Sequence, residues 1–119
     1  MSQATYTIVI KVNGQTLQGT ATNITFGGHS REFKTAAGVA GRHFTKKPEM
    51  ATLTVNVLHL PDGPSIDDMR NWENVTLVAE CDNGIVYQSD GAAVTNAIKL
   101  GDEGKGIDLE FGGPPFTEV

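Results

Sequence analysis

The sequence predicts a mainly β fold: an antiparallel β-sandwich or barrel with one short α-helix and a long protruding hairpin. Several segments alternate apolar and polar residues with a period of two, as half-buried strands do. Turn pairs such as Asn13-Gly14 separate these segments, and only one segment carries helix-capping signals. The chain has 119 residues, of which 14 are glycine. That length predicts one domain, residues 1–119.

The first predicted element is a β-hairpin in residues 5–21, TYTIVIKVNGQTLQGTA. Asn13-Gly14 supplies the two positive-φ residues that a type I′ turn requires. The segment NITF, residues 23–26, predicts a further short strand that ends at Gly27-Gly28. The apolar residues that alternate before the first turn are Tyr6, Ile8, Ile10 and Val12.

The segment REFKTAAGVAGRHFTKK, residues 31–47, is basic within an acidic chain. It holds five of the nine Lys and Arg residues and one acid, whereas the rest of the chain has four bases and thirteen acids. Weak periodicity over such a length is typical of a functional loop. The sequence predicts a hairpin with REFKTA outgoing, GRHFTKK returning and a tip at Gly38-Val39-Ala40-Gly41. The uneven charge indicates a contact with an acidic partner or with another copy of the chain.

Residues 50–60, MATLTVNVLHL, give the clearest strand pattern. The helix is predicted at residues 65–72, where Ser65 is the N-cap and Asp68 completes a capping box. Ile66, Met69 and Trp72 share one face of it, and Trp72 is expected to pack the helix on the sheet. In the strand, one face is predicted to carry Ala51, Leu53, Val55 and Val57, and the other Thr52, Thr54 and Asn56.

Two further hairpins are predicted in the last third of the chain. Residues 75–81 and 85–90 flank the turn Asp82-Asn83-Gly84, and GAAVTNAIKL and GIDLEF flank GDEGK. In all, seven to nine strands are expected. The C-terminal GGPPFTEV is rich in turn residues and is expected on the surface. In the last strand Ile107, Leu109 and Phe111 alternate with Asp108 and Glu110.

No pattern of chemistry-bearing residues predicts an enzyme. The glycines of residues 36–41 lack the spacing of a phosphate-binding loop. Cys81 is the single cysteine, and the spacing of His29, His43 and His59 matches no zinc motif. Neither a metal nor another cofactor is predicted. No apolar run is long enough to predict a membrane span, and an acidic chain is a poor candidate for tight nucleic-acid binding.

The order of several short motifs resembles the tail tube proteins of Mu-like phages. These motifs are VNGQTL, FKTAAGVAG, KPEMATLTV, an acidic helix followed by VTLVAECDNGIVY, and the closing GKGIDLEFGGPPFTEV. The resemblance implies a β-sandwich or barrel with one helix on its side, and hexameric rings that stack into a hollow tube. It also implies a virion protein assembled in the host cytoplasm, with a fold similar to the tube protein of type VI secretion.

The resemblance implies roles for particular residues and partners. The expected partners are phage DNA in transit, a tape-measure protein, baseplate and terminator proteins and, if the tail is contractile, a tail sheath. Residues 31–47 match the loop that stacks one ring on the next, and candidate lumen residues are Thr52, Thr54, Asn56, Asp108 and Glu110. The residues expected at the inter-ring contact are Arg31, Lys34, Gly38, Val39, Ala40, Gly41, Arg42, Lys46 and Lys47.

Three alternatives to a phage tail tube stay open on the sequence. One is a ring protein of a type VI-like secretion tube, whose rings would stack only weakly. The second is a small β-sandwich module that binds a carbohydrate or peptide and stays monomeric. The third is a capsid-decoration protein that assembles as trimers on a shell.

Overall fold

The computed structural model of the chain describes residues 3–36 and 39–119, with the backbone alone described at positions 35, 36 and 39–42. Within these ranges the chain forms one α-helix, α1, and eleven strands, and every strand pairing is antiparallel. This confirms the predicted fold class. The structure has eleven strands, whereas seven to nine were expected. Two of the eleven, β2 and β11, have only two residues each. The strands are β1 (Ile8–Val12), β2 (Gln15–Thr16), β3 (Gly19–Thr25), β4 (Gly28–Ala36), β5 (Val39–Glu49), β6 (Ala51–Val57), β7 (Val75–Cys81), β8 (Val86–Val94), β9 (Lys99–Gly101), β10 (Gly106–Gly113) and β11 (Thr117–Glu118); α1 (Ile66–Arg70) lies between β6 and β7.

Two sheets share strand β8 and enclose the core. The first sheet runs β2-β1-β7-β8, with β11 on the far side of β8; the second runs β8-β10-β6-β3, with β9 beside β10. At Gly91 the register of β8 against β7 shifts, and this residue has a φ of +90°. Such a bulge bends a strand, so one half of β8 pairs with β7 while the other half pairs with β10.

The core lies between the inner faces of the two sheets. Strand β6 alternates between buried and half-buried positions, as the sequence predicts, and the turn at Asn13 and Gly14 has the expected positive φ values of 50° and 85°. The largest fully buried side chains are Phe111, Leu53, Met69, Leu77, Ile107, Leu109, Val12, Val55 and Val57.

Helix α1 closes one side of the core. The Ser65 hydroxyl accepts a hydrogen bond from the Asp68 backbone N–H at 3.1 Å, and the Asp68 carboxylate accepts one from the Ser65 N–H at 3.3 Å. The predicted capping box is therefore confirmed. The helix is shorter than the predicted 65–72, because Ser65 is its N-cap and Asn71 its C-cap. Met69 is buried, and Trp72 stacks on Phe111 with ring centroids 6.0 Å apart.

Two predictions for the C-terminal third are wrong. The segment GAAVTNAIKL is not one strand: Gly91–Val94 continues β8 through its bulge, and only Lys99–Gly101 forms β9. The C-terminal segment does not lie wholly on the surface, because Phe116 is buried with its ring 6.1 Å from Phe26. The adjacent β11 then pairs with β8.

Strands β4 and β5 form a separate two-stranded sheet, here called the hairpin. Its strands join the second sheet where β3 ends and β6 begins, next to Gly113 of β10; we call this end the hairpin pole. The opposite pole carries residues 58–64 after β6 and the turn 102–105 between β9 and β10. The sandwich therefore has two unlike ends.

The overall dimensions reflect the hairpin. The radius of gyration is 17.6 Å, against about 13–14 Å for a compact chain of this length. The principal extents are 63 × 41 × 27 Å. A nine-residue strand such as β4 spans about 30 Å, so an extended hairpin supplies a large part of the longest dimension.

Candidate assembly surfaces

The hairpin ladder runs from the Gly28–Glu49 pair to the Ala36–Val39 pair. Val39, Ala40 and Gly41 were predicted to form the tip together with Gly38. They belong to strand β5 instead, as does Arg42, because pairing continues to Val39 and leaves only a short connection between the strands. Gly38 lies outside the described residues.

The register divides the hairpin side chains between two faces. Arg31 stands opposite Lys46, and Phe33 stands opposite Phe44, so these four residues share what we call the aromatic face. The other face carries Ser30, Glu32, Lys34, His43, Thr45 and Lys47. The predicted basic contact residues are therefore not one patch: Arg31 and Lys46 lie beside the aromatic rings, whereas Lys34 and Lys47 lie on the other side.

The phenylalanine pair is the apolar centre of the aromatic face. The ring centroids of Phe33 and Phe44 are 5.6 Å apart with a tilt of 56°, and the Arg31 guanidinium lies 6.0 Å from the Phe44 ring centroid. Both rings remain largely in water, with 62% of Phe33 and 47% of Phe44 exposed. Adjacent exposed apolar groups of this kind mark interaction sites. The sequence pattern did not predict this pair.

Ion pairs within the hairpin lie on the face opposite the rings. Lys34 pairs with Glu32 at 2.8 Å, and Lys47 lies 3.9 Å from Glu49. The Glu49 carboxylate also accepts a hydrogen bond from the Ser30 hydroxyl at 2.9 Å. Exposed pairs of this type contribute little stability. They do offset the charge of Lys34 and Lys47, so the net positive charge of the described side chains is concentrated on the aromatic face.

A second surface is the outward face of the second sheet. Asn56 of β6 stands opposite Asp108 of β10, and Thr54 stands opposite Glu110. The Asn56 amide donates to the Asp108 carboxylate and to the Lys105 carbonyl, each at 2.8 Å. The structure thus brings the five predicted lumen candidates onto one polar face: Thr52, Thr54, Asn56, Asp108 and Glu110.

Strand β3 widens this polar face. Its residues Thr20, Asn23 and Thr25 stand opposite Asn56, Thr54 and Thr52 respectively. The sequence did not predict their place on this face, because the register shifts between Ala21 and Asn23 and breaks the period-two pattern. Within the described part of the chain, no strand pairs with the outer edge of β3. An unpaired edge can accept a strand from another molecule.

The remaining residues considered for chemistry are scattered. His29, His43 and His59 are exposed at separate places, and Cys81 is half-buried. Among residues 3–36 and 39–119 there is no group of three potential metal ligands, and no helix there is long and apolar enough to cross a membrane. The backbone N–H of Tyr6 donates to Asp82 at 2.9 Å and lowers the pKa of that carboxyl.

Comparison with known proteins identifies the family. Residues 1–118 match the model of the family described as phage tail tube protein. No curated protein matches the chain. Because the match covers nearly the whole sequence, the chain belongs to the phage tail tube family, and its role is that of a structural component of a virion tail.

Proposed function

We propose that this chain is the repeating subunit of a tail tube, in which hexameric rings stack into a hollow conduit for DNA ejection. The observation that supports it best is the hairpin: a separate sheet whose aromatic and basic side chains are exposed. Exposed apolar groups of this kind mark an interaction surface. It suits a contact that repeats from one copy to the next, and a contact between unlike surfaces builds an open stack.

Axial stacking is assigned to the hairpin. The aromatic face supplies apolar area, and the lysines and arginines orient the contact by attraction to an acidic neighbour. The small residues toward the tip allow close approach of two backbones. The residues assigned to the inter-ring contact are Arg31, Lys34, Gly38, Val39, Ala40, Gly41, Arg42, Lys46 and Lys47; we add Phe33 and Phe44 because their paired rings are exposed.

Lateral closure of each ring is assigned to the edge of β3. Pairing this edge with a strand of the neighbouring subunit would satisfy its free backbone groups and remove an aggregation-prone edge. The sheet of β10, β6 and β3 would then continue from subunit to subunit around the ring. Its core face is already covered by the first sheet, which leaves the polar face free to line the lumen.

The polar face suits a channel through which DNA slides. Hydroxyl and amide groups from Thr52, Thr54 and Asn56 provide a wetted surface, and Asp108 and Glu110 add negative charge. Carboxylates repel phosphates, whereas a basic lining would bind them. On this proposal DNA passes without tight binding, and the chain performs no catalysis.

The partners follow from the same proposal. The lumen would hold a tape-measure protein before DNA release. The outer surface, where α1 lies, would meet a sheath in a contractile tail. Baseplate and terminator proteins would bind the two ends of the stack, and assembly would take place in the cytoplasm of the bacterial host.

Negative-stain electron microscopy of the purified chain, with sedimentation analysis, tests the proposed function. Stacked six-membered rings with a central channel are expected. Isolated or weakly stacked rings would favour a type VI-like secretion tube. A monomer at high concentration would contradict assembly and favour a small binding module, and trimers would favour a capsid-decoration protein.

A further inference from the structure

We propose that the aromatic face of the hairpin docks in a leucine groove at the opposite pole of a second copy of this chain. This inference rests on the proposed axial stacking and identifies its acceptor.

The groove lies beside the turn between β9 and β10. Leu58, Leu60 and Leu100 line it together, and each of them is exposed, by 49%, 37% and 51% respectively. Its volume is about 370 Å³. Three exposed leucines around one depression form an apolar patch. Patches of this kind mark sites where a partner binds. The aromatic pair of the hairpin is a matching apolar surface.

Charge at the opposite pole complements the hairpin. Residues 58–64 and 100–106 carry three acids, Asp62, Asp102 and Glu103, and one base, Lys105, for a net charge of −2. The hairpin, residues 28–49, carries five bases and two acids, for a net charge of +3. Asp102 and Glu103 border the leucine groove itself. Docking the two phenylalanine side chains on the leucines would bring Arg31 and Lys46 close to these carboxylates.

The positions of hairpin and groove favour a contact that propagates. The hairpin leaves the sandwich at one pole and the groove lies at the other, so each copy presents one of each. A second apolar depression of similar volume, about 390 Å³, is lined by Ile8, Phe26 and Tyr87. It lies toward the hairpin pole, and a hairpin docked there would join like ends. A contact between unlike ends that does not close into a ring can extend without limit, whereas a contact between like ends closes.

The hairpin is long enough for this contact. Phe33 is five residues beyond Gly28, which places the aromatic pair about 17 Å from the base of an extended hairpin. The two phenyl rings therefore lie away from their own sandwich and can contact a neighbouring copy. The remaining residues would extend along the side of that neighbour beyond the groove.

Cysteine cross-linking of the assembled full-length chain tests the docking. Lys46→Cys and Asp102→Cys, introduced with Cys81→Ala, leave both phenylalanines and all three leucines in place. On mild oxidation, a reducible ladder of covalent oligomers is expected. The matched control combines Lys46→Cys with Glu118→Cys. Glu118 is also an acid, but it lies in β11 opposite Tyr87. The control should give no ladder.

The outcomes separate the inference from the function on which it rests. Tubes that form normally but give no ladder, or give an equal ladder with the control pair, would overturn the docking and leave the tube intact. Failure of the unmodified chain to form tubes would contradict the proposed function and the docking with it.

A second variant tests the apolar part of the contact. Leu58→Ser with Leu100→Ser changes side chains that are already about half exposed, so the melting temperature should stay within a few degrees of the parent. Stacking should be lost, with isolated rings in place of tubes. Tubes of normal length from this variant would overturn the assignment of the leucine groove.

Discussion

Two of the aromatic pairs among the described residues have similar ring separations and opposite surroundings. Trp72 and Phe111 stack at 6.0 Å in the sandwich, where Phe111 is fully buried. Phe33 and Phe44 pair at 5.6 Å on the hairpin, where 62% of Phe33 is exposed. The first pair gains stability from burial when the chain folds. The second gains most of its burial only when another molecule covers it.

The sandwich and the hairpin differ in the same way as their aromatic pairs. The sandwich has its own core, helix and capping box, whereas the hairpin pairs only with itself in a two-stranded sheet. A two-stranded sheet is marginal by itself in water. The structure therefore separates the residues that stabilise the fold from those available for assembly, and changes in the two regions should have different consequences.

The largest difference in stability is expected between Phe111→Ala and Phe33→Ala. Removing the buried ring of Phe111 leaves a cavity and should lower the free energy of unfolding by about 3–5 kcal/mol. Removing Phe33 deletes one exposed cross-strand contact and should cost at most about 1 kcal/mol. Urea unfolding of both variants measures the difference, and equal losses would show that the hairpin is part of the stability of the sandwich.

Charge reversal in the hairpin should affect assembly more than folding. Changing Arg31 and Lys46, the two bases of the aromatic face, to Glu places acids against an acidic neighbour and should weaken stacking strongly. Because exposed charges are screened by salt, high salt should reproduce part of this loss in the parent chain. Tube length by electron microscopy is the readout, and unchanged tubes from the reversed chain would rule out an electrostatic contribution.

Substitutions of two serines form a matched pair with a smaller expected difference in the free energy of unfolding. Ser65 caps α1, and Ser65→Ala should lower the free energy of unfolding by about 1 kcal/mol. Ser30 donates to Glu49 on the exposed hairpin, and Ser30→Ala should change it by less than about 0.5 kcal/mol. Thermal unfolding monitored by circular dichroism distinguishes them; a larger loss for Ser30→Ala would contradict the separation of the two regions.

The smallest expected effect is a pH dependence at the hairpin pole. Hydrogen bonding to the Tyr6 N–H holds the pKa of Asp82 below its ordinary value of about 3.8. The folded state therefore gains stability from the ionised carboxylate above that ordinary value and loses it as the pH falls through the lowered pKa. Asp82→Asn should be slightly less stable than the parent at pH 7, and the difference should shrink as the pH falls through the lowered pKa. A difference that does not change with pH would contradict this origin.

Local patterns in the sequence predicted the local structure. The alternation of β6, the Asn13-Gly14 turn and the Ser65–Asp68 capping box depend on residues within one element, and all three are confirmed. The polar lumen candidates also appear on one surface, because period-two alternation fixes which face a strand residue occupies.

Pairing between distant residues could not be predicted as well. A tip at residues 38–41 would place Phe33 opposite Lys46; the observed register places it opposite Phe44 instead, so the aromatic pair was missed. The shifts at Gly91 and between Ala21 and Asn23 likewise hid the bend of β8 and the polar residues of β3. Bulges and turn positions depend on the partner strand, which a single segment does not reveal.

Deletion of residues 36–41 tests the separation of folding and assembly most directly. The deletion leaves Thr35 and Arg42 as a two-residue turn beyond the Lys34–His43 pair and removes no residue of the core. A folded domain is predicted that forms isolated rings but no tubes by electron microscopy, with the circular dichroism spectrum and melting temperature of the parent. Long tubes from this shortened chain, or an unfolded product, would contradict the account.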